Sequence, residues 1–212
     1  KFYEDTFKEA VDATKAGMLY SAPIIRVVAD HWRRRGDGSP LVVDPVMVAT
    51  SGARLLRPSA IRALQDELLP QAALLTPNLD EAALLLGAPL RTLEDLRDAA
   101  RALWRRFGAP VLAKGGHLAT PGEAVDVLFD GRREELLRAP RVPGVSTHGT
   151  GCTYSAAVAA GLARGLSLRR AVRAAKAYVT AAIAGSLRVA RHTVLGAPGG
   201  GGFSLATARV SR

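Results

Sequence analysis

The segment Thr147-His148-Gly149-Thr150-Gly151-Cys152 is a glycine-bearing turn that leads directly into an alanine-rich helix predicted over residues 151–164. Glycine lets the backbone turn tightly and approach a ligand closely. The first amides of a helix have no acceptor inside the helix, and the helix dipole adds positive charge at that end. The segment therefore predicts an anion site suited to a phosphoryl group in transfer. A tight loop before an ordinary core helix remains the alternative.

Cys152 follows this turn and falls in the first turn of the predicted helix. A helix N-terminus favours the thiolate form of cysteine, which could accept a proton from an attacking hydroxyl group. Cysteine is also one of the most commonly buried residue types, so a purely structural role remains open.

Outward from this segment, long helical patterns alternate with short apolar runs, which predicts an α/β sheet covered by helices. One helix is expected over residues 22–35, with Ile24, Ile25, Val28 and Trp32 on its buried face. The pattern predicts one domain over residues 1–197 and a flexible glycine-rich tail over 198–212. The remaining helices are expected near 2–10, 59–69, 78–86, 92–107 and 168–187, and the strands near 13–18, 41–43, 73–76, 111–114, 124–129 and 136–139. Thr92 to Asp95 resembles a capping box that opens the helix at 92–107, and the last two strands are expected to pair across Asp130-Gly131.

Composition limits the class of protein. The 212 residues carry a net charge of +10, but the arginines are spread over helical segments and aromatic residues make up only 5%, which argues against a nucleic-acid surface. No run approaches the roughly 20 apolar residues that span a bilayer. One cysteine excludes an internal disulfide framework. We expect a cytoplasmic protein, incomplete at its N-terminus because it begins at Lys1 instead of Met.

Four further polar residues lie at or near the ends of predicted elements. Asp44 follows the apolar run 41–43, and the carboxyl ends of parallel strands are where open α/β sheets bind ligands. Lys114 ends another strand and precedes two glycines, although a lysine there is often simply solvated. Asn78 and Glu81 have the spacing of a helix capping box, which explains them without any ligand.

Five segments, in this order, resemble the hydroxymethylpyrimidine and phosphomethylpyrimidine kinases of thiamin synthesis, in the ribokinase-like superfamily. The resemblance covers residues 13–187, and Cys152 stands where most sugar kinases of the superfamily have aspartate. The segments are Lys15-Ala16-Gly17-Met18-Leu19, Val42-Val43-Asp44-Pro45-Val46-Met47, Thr76-Pro77-Asn78-Leu79-Asp80-Glu81, Lys114-Gly115-Gly116-His117, and Thr147 through Ala157.

The resemblance implies a three-layer α/β/α fold with a mostly parallel sheet, and a kinase that uses ATP and Mg²⁺, with a monovalent cation also possible. It implies that Cys152 is the base that accepts the proton of the attacking hydroxyl, and that Lys114 contacts the ATP phosphates. It further implies that Gly149, Thr150 and Gly151 form the anion hole, that Asp44, Asn78 and Glu81 lie at the magnesium, partly through water, and that Met18 and Val46 pack on the pyrimidine.

The chain also departs from the family pattern. The strand and glycine-rich loop that normally precede the segment matching Phe2 are not in the sequence, and the end near His192 lacks the usual Gly-His-Gly-Pro. A pyridoxal-type kinase and a non-catalytic pyrimidine-phosphate-binding module therefore remain alternatives. A homodimer is possible.

Overall fold

The computed structural model describes residues 11–35, 38–48, 55–118, 120–143, 149–189 and 192–196. The helix expected at 2–10, the tail expected at 198–212, and His148 and Thr147 of the anion loop lie outside these residues. The strands are β1 Thr14–Ala16, β2 Leu41–Val43, β3 Leu74–Leu75, β4 Val111–Ala113, β5 Glu123–Phe129, β6 Glu134–Pro140, β7 Leu187–Val189 and β8 His192–Val194. The α-helices are α1 Ala22–Arg35, α2 Pro58–Ala63, α3 Leu79–Leu86, α4 Leu93–Phe107, α5 Thr150–Ala163 and α6 Leu168–Ala184.

Six strands form one sheet in the order β1-β2-β3-β4-β5-β6, and β7 pairs with β8 in a separate hairpin. Strands β1 to β4 run parallel, whereas β5 is antiparallel to both β4 and β6. The hairpin expected across Asp130-Gly131 joins β5 to β6, with Phe129 opposite Glu134. The parallel strands therefore present their carboxyl ends at one edge of the sheet.

Successive side chains of the short strands point to opposite faces of the sheet, so the apolar ones are divided between two cores. Leu41 and Val43 of β2 enter a core formed with α1 to α4, whereas Val42 between them enters the core under α5 and α6. Leu74 and Leu75 of β3 divide in the same way. Helices thus cover both faces, and the three-layer α/β/α prediction is confirmed.

Helices α5 and α6 approach each other through small residues. A methyl group added at Gly161 of α5 would lie 2.9 Å from the Cβ of Ala171 in α6. Protein interiors have little free volume, so the absence of a side chain at Gly161 sets the spacing of this helix pair.

Three sequence expectations for the helices were wrong in detail. Ile24 is 45% exposed and lies off the buried face of α1, whereas Ile25 is buried and Val28 and Trp32 pack against the core as expected. The helix expected over 59–69 changes at residue 64 into a π-helical turn, Leu64–Leu68, with an i→i+5 hydrogen bond from the amide of Leu69 to the carbonyl of Leu64. The last helix ends at Ala184, because the chain enters β7 at Leu187. No helix among the described residues is long and apolar enough to cross a membrane.

Candidate active site

The carboxylate of Asp44 is the centre of a polar cluster at the carboxyl ends of the parallel strands. Asp44 directly follows β2 and is buried. Its Oδ1 accepts hydrogen bonds from Lys114 Nζ at 2.8 Å and from Thr76 Oγ1 at 3.1 Å. Lys15 Nζ lies 3.9 Å from Oδ2 on the other side. Two cations therefore compensate one buried carboxylate, which a buried charge requires.

Lys114 occupies this position because its backbone is held by the segment that follows β3. Its amide donates to the carbonyl of Pro77 at 2.8 Å, and residue 114 forms a parallel bridge with Asn78 beyond the end of β4. The side chain then extends to Asp44, as above. A Cβ added to Gly151 would lie 3.1 Å from Lys114 Nζ. The lysine ammonium group thus lies between the β2 carboxylate and the first turn of α5.

The N-terminus of α5 has the backbone conformation that an anion site needs. Gly149 is the N-cap residue with φ of 81°, a left-handed conformation that glycine adopts at little cost, and it provides no side-chain cap. The first amides of α5 therefore point outward without intrahelical acceptors. Thr150 Oγ1 is buried and makes no hydrogen bond within the described part of the chain. Cys152, in the same turn, has an exposed thiol.

Ser155 joins the head of α5 to the Asp44 cluster. Its Oγ is 3.3 Å from Asp44 Oδ2 and 3.1 Å from the carbonyl oxygens of both Gly151 and Cys152. A single hydroxyl proton can be donated to only one of these acceptors at a time. The turn that carries Cys152 is thereby held next to the carboxylate and to Lys114.

Asn78 and Glu81 form the capping box of α3 at the same edge of the sheet. The amide of Glu81 donates to Asn78 Oδ1 and the amide of Asn78 donates to Glu81 Oε2, each at 2.8 Å. Burial raises the pKa of Glu81 to about 7, against the lowering effects of the Lys114 ammonium group and the Asn78 amide, and the Asp44 charge adds a smaller increase. The helix cap predicted from the sequence is confirmed, and its carboxylate lies within the electrostatic reach of Asp44 and Lys114.

We expect Glu81→Gln to stabilise the fold at pH 8 and to have little effect at pH 5. Glutamine also completes a capping box. The folded-state pKa of about 7 lies above the ordinary value of 4.5, so ionisation of Glu81 costs stability as pH rises from 4.5 to 7, and the full cost is present above pH 7. Removing the charge should raise the unfolding free energy at pH 8 by about 2–3 kcal/mol, measured by urea denaturation.

A matched control for Glu81→Gln is the second capping box, in α4. The Asp95 carboxylate accepts hydrogen bonds from the amides of Arg91 and Thr92, which lower its pKa. Because the pKa of Asp95 is lowered in the folded state, its carboxylate stabilises the fold above its ordinary pKa, and this stabilisation is lost as the pH falls below that value. Asp95→Asn should therefore lower the unfolding free energy at pH 8. Stabilisation by both changes, or an equal effect of Glu81→Gln at both pH values, would contradict the electrostatic account.

The two carboxylates limit the kind of metal that could be held here. Among the described residues, no group of three or more His, Cys, Asp or Glu side chains is placed to hold a metal ion. Asp44 and Glu81 supply oxygens that already accept hydrogen bonds. Mg²⁺ keeps several of its own waters and uses one or two carboxylates together with substrate phosphates. The residues present fit a magnesium ion held through water.

Met18 and Val46 follow the neighbouring strands β1 and β2 at the edge that carries Asp44. Met18 is 52% exposed and Val46 is half-buried. Tyr20, two residues after Met18, is exposed and has φ of 63°, a left-handed conformation that costs a bulky residue roughly 1–2 kcal/mol. Met18 thus presents apolar surface to solvent at the edge of the sheet that carries Asp44.

Sequence reasoning missed three side chains around Asp44, namely Lys15, Thr76 and Ser155. Thr76 directly follows β3, as Asp44 follows β2, and that shared position is the signal that could have found it. Lys15 is the middle residue of β1 and had no such signal. The contact with Ser155 spans 111 positions of sequence and had no local signal.

A cavity of about 370 Å³ lies at the opposite end of the parallel strands. Its lining includes Leu41, the first residue of β2, together with Ala72 and Ala73 before β3. None of the predicted site residues lines it. The polar cluster around Asp44 and this cavity therefore lie at opposite ends of the parallel strands.

The comparisons with known proteins agree on one family. The model of the phosphomethylpyrimidine kinase family matches residues 3–195. A hydroxymethylpyrimidine/phosphomethylpyrimidine kinase from Streptomyces coelicolor is 51% identical over 173 residues, which are 82% of this chain and 63% of the relative. The chain thus spans less than two thirds of the length of that relative.

Solved structures of kinases share the fold. The ADP complex of Bacillus subtilis pyridoxal kinase is similar with a TM-score of 0.81 and 39% identity, over 88% of this chain and 70% of that one. A phosphomethylpyrimidine kinase from Clostridium difficile has a TM-score of 0.70 and 33% identity, over 82% of this chain and 69% of its own.

Proposed function

We propose a function from one premise, namely that the chain belongs to the phosphomethylpyrimidine kinase family. The proposed reaction transfers the γ-phosphoryl group of ATP to the hydroxymethyl oxygen of 4-amino-5-hydroxymethyl-2-methylpyrimidine, and then a second phosphoryl group to the resulting monophosphate. The observation that supports it best is the position of Lys114 Nζ, 2.8 Å from Asp44 and next to Gly151 at the head of α5.

In the first transfer, the substrate hydroxyl oxygen forms a bond to the γ-phosphorus while the bond from that phosphorus to the bridging oxygen breaks. ADP leaves with the bonding electron pair, and the hydroxyl proton passes to the thiolate of Cys152. Charge spreads over the phosphoryl oxygens in such a transition state, so alignment and electrostatics dominate the catalysis. The Gly149, Thr150 and Gly151 amides and the Lys114 ammonium group would stabilise that charge.

Asp44 and Glu81, with Asn78 as a neighbouring amide, would hold magnesium largely through water. When bound, the ion neutralises phosphate charge and helps to align the nucleotide. The chain's own contribution is to place the Asp44 carboxylate beside Lys114 and Lys15, whose ammonium nitrogens both lie within 4 Å of it. Met18 and Val46 would pack against the pyrimidine ring. We place the reaction in the cytoplasm, where ATP and a reduced Cys152 are both available.

A second candidate is phosphorylation of pyridoxal, which is favoured by the TM-score of 0.81 to the Bacillus subtilis pyridoxal kinase. Both candidate acceptors present a hydroxymethyl group on a flat nitrogen heterocycle. The two candidates therefore share the phosphate machinery and differ only at the ring-binding surface.

The test is side-by-side turnover of the pyrimidine and pyridoxal with Mg·ATP, together with calorimetric titration of Mg·AMP-PCP. We expect nucleotide binding and a kcat/KM at least tenfold higher for the pyrimidine. A preference for pyridoxal would transfer the assignment to the second candidate. Nucleotide binding without turnover of either acceptor would indicate a binding module, and no nucleotide binding at all would overturn the proposal.

A further inference from the structure

A buried ion pair lies behind the loop that follows Lys114. Lys176 Nζ of α6 is 2.7 Å from Asp126 Oδ2 of β5 and also donates to the carbonyl of Ala124 at 3.1 Å. The two residues are only 8% and 3% exposed. Neither residue belongs to the phosphate-binding cluster described above.

The second oxygen of Asp126 is connected to that cluster through the backbone. Asp126 Oδ1 accepts a hydrogen bond of 3.0 Å from the amide of Gly115, the residue after Lys114. Gly115 has no room for a side chain, since an added Cβ would collide with the Val125 carbonyl oxygen and would lie 2.7 Å from Leu96. The backbone here is pressed against β5, and the Asp126 carboxylate determines where it rests.

The stability of the fold is a weak explanation for such a pair. Removing two charges from water costs several kcal/mol per ion, and replacing a buried pair with apolar residues of similar volume is often neutral or stabilising. A positional role explains why both charges are present, because the Gly115 amide needs an acceptor and that acceptor, as a buried carboxylate, needs a cation.

The pair also lies close to the helix that carries the anion site. Tyr154, in the second turn of α5, is buried next to it, and burial followed by the Asp126 charge raises the pKa of this phenol well above its ordinary value. Tyr154 therefore remains neutral beside the carboxylate. Asp126 thus lies between α5, α6 and the loop after Lys114.

We propose that the Asp126–Lys176 pair is a positioning device that fixes the Gly115 amide and thereby holds Lys114 between Asp44 and the head of α5. Asp126 and Lys176 are positioning residues, and they touch neither the nucleotide nor the acceptor. The inference concerns the placement of Lys114, and its catalytic meaning rests on the proposed kinase function. Its structural part can be tested without any nucleotide.

Two matched double variants separate positioning from ordinary packing. Asp126→Asn with Lys176→Met removes both charges but keeps an oxygen that can accept from Gly115. Asp126→Leu with Lys176→Met removes both charges and the acceptor. Amide hydrogen exchange at Lys114, whose amide donates to Pro77, is measured by NMR in both variants, with the amide of the buried residue Leu103 as an internal reference.

We expect exchange at Lys114, relative to Leu103, to be at least tenfold faster in the leucine variant than in the asparagine variant. The affinity for Mg·AMP-PCP should fall about tenfold in the leucine variant and remain within about twofold of the unmodified chain in the asparagine variant. If the leucine variant does not fold, Asp126→Val with Lys176→Met replaces it, since valine is smaller and also lacks an acceptor.

Equal Lys114 exchange in the two double variants would overturn the positioning role, whatever the nucleotide data show. Failure of the unmodified chain to bind Mg·AMP-PCP would overturn the proposed kinase function instead, and the exchange result would still decide the placement of Lys114. Faster exchange confined to Gly115, with Lys114 unchanged, would also count against the proposal.

Discussion

Replacing Lys114 with methionine is expected to lower kcat by about 10²–10³-fold, the range typical for loss of one preorganised group that stabilises transition-state charge. Methionine preserves most of the length and apolar surface of the lysine stem but carries no charge. The change removes the cation 2.8 Å from Asp44 and beside Gly151. The measurement is steady-state turnover with the pyrimidine acceptor, and a circular dichroism melt verifies that the variant is folded.

Lys15→Met is the matched control because the second lysine faces the same carboxylate from farther away. Lys15 Nζ lies 3.9 Å from Asp44 Oδ2, beyond hydrogen-bonding distance. We expect its loss to lower kcat less than tenfold. Equal losses in the two variants would show that the charge balance around Asp44, and not a specific contact from Lys114, governs turnover.

Replacing Cys152 with alanine is expected to lower kcat of the first phosphorylation by about 10²–10⁴-fold, the usual contribution of general acid–base catalysis. The nucleotide affinity should stay within a factor of about two, since the backbone amides and Lys114 remain. The thiol is exposed in the first turn of α5, where an acceptor hydroxyl can reach it. Single-turnover kinetics with each acceptor would measure the chemical step directly.

The second phosphorylation provides an internal control for the role of Cys152. A phosphate monoester has a second pKa near 6, so its attacking oxygen is already ionised at pH 8 and needs no base. We expect Cys152→Ala to slow that step less than tenfold. Equal slowing of both steps would show that the thiol acts on substrate placement instead of accepting a proton, and full retention of the first step would remove Cys152 from the mechanism.

Local sequence signals predicted the elements that satisfy their own backbone groups. The capping boxes at Asn78 and Thr92 were identified because both partners lie within four residues of each other. The same holds for the turn at Asp130, whose Oδ1 accepts from the amides of Arg132 and Arg133. Such contacts are fixed by short stretches of chain, so the pattern of residues is sufficient to predict them.

The surroundings of each site residue depended on packing that no short stretch encodes. Asp44 was expected at a strand end, but its contact with Ser155 exists only because α5 crosses the end of β2. Helical periodicity gave α1 an apolar stripe, yet it did not show that the stripe stops short of Ile24, which stays 45% exposed. The π-helical turn at Leu64 likewise had no local signal.

The tight crossing of α5 and α6 has a consequence far from the point of contact. Gly161 is about 15 Å along the helix axis from Gly151, and a Cβ added at Gly161 would lie 3.2 Å from the Cα of Ala171. An α-helix is stiff along its axis, so a methyl group at residue 161 would tilt α5 as a whole and displace its N-terminus, where Gly151 lies. Substrate turnover could then be impaired by a crowding mutation that leaves every chemical group of the reaction in place.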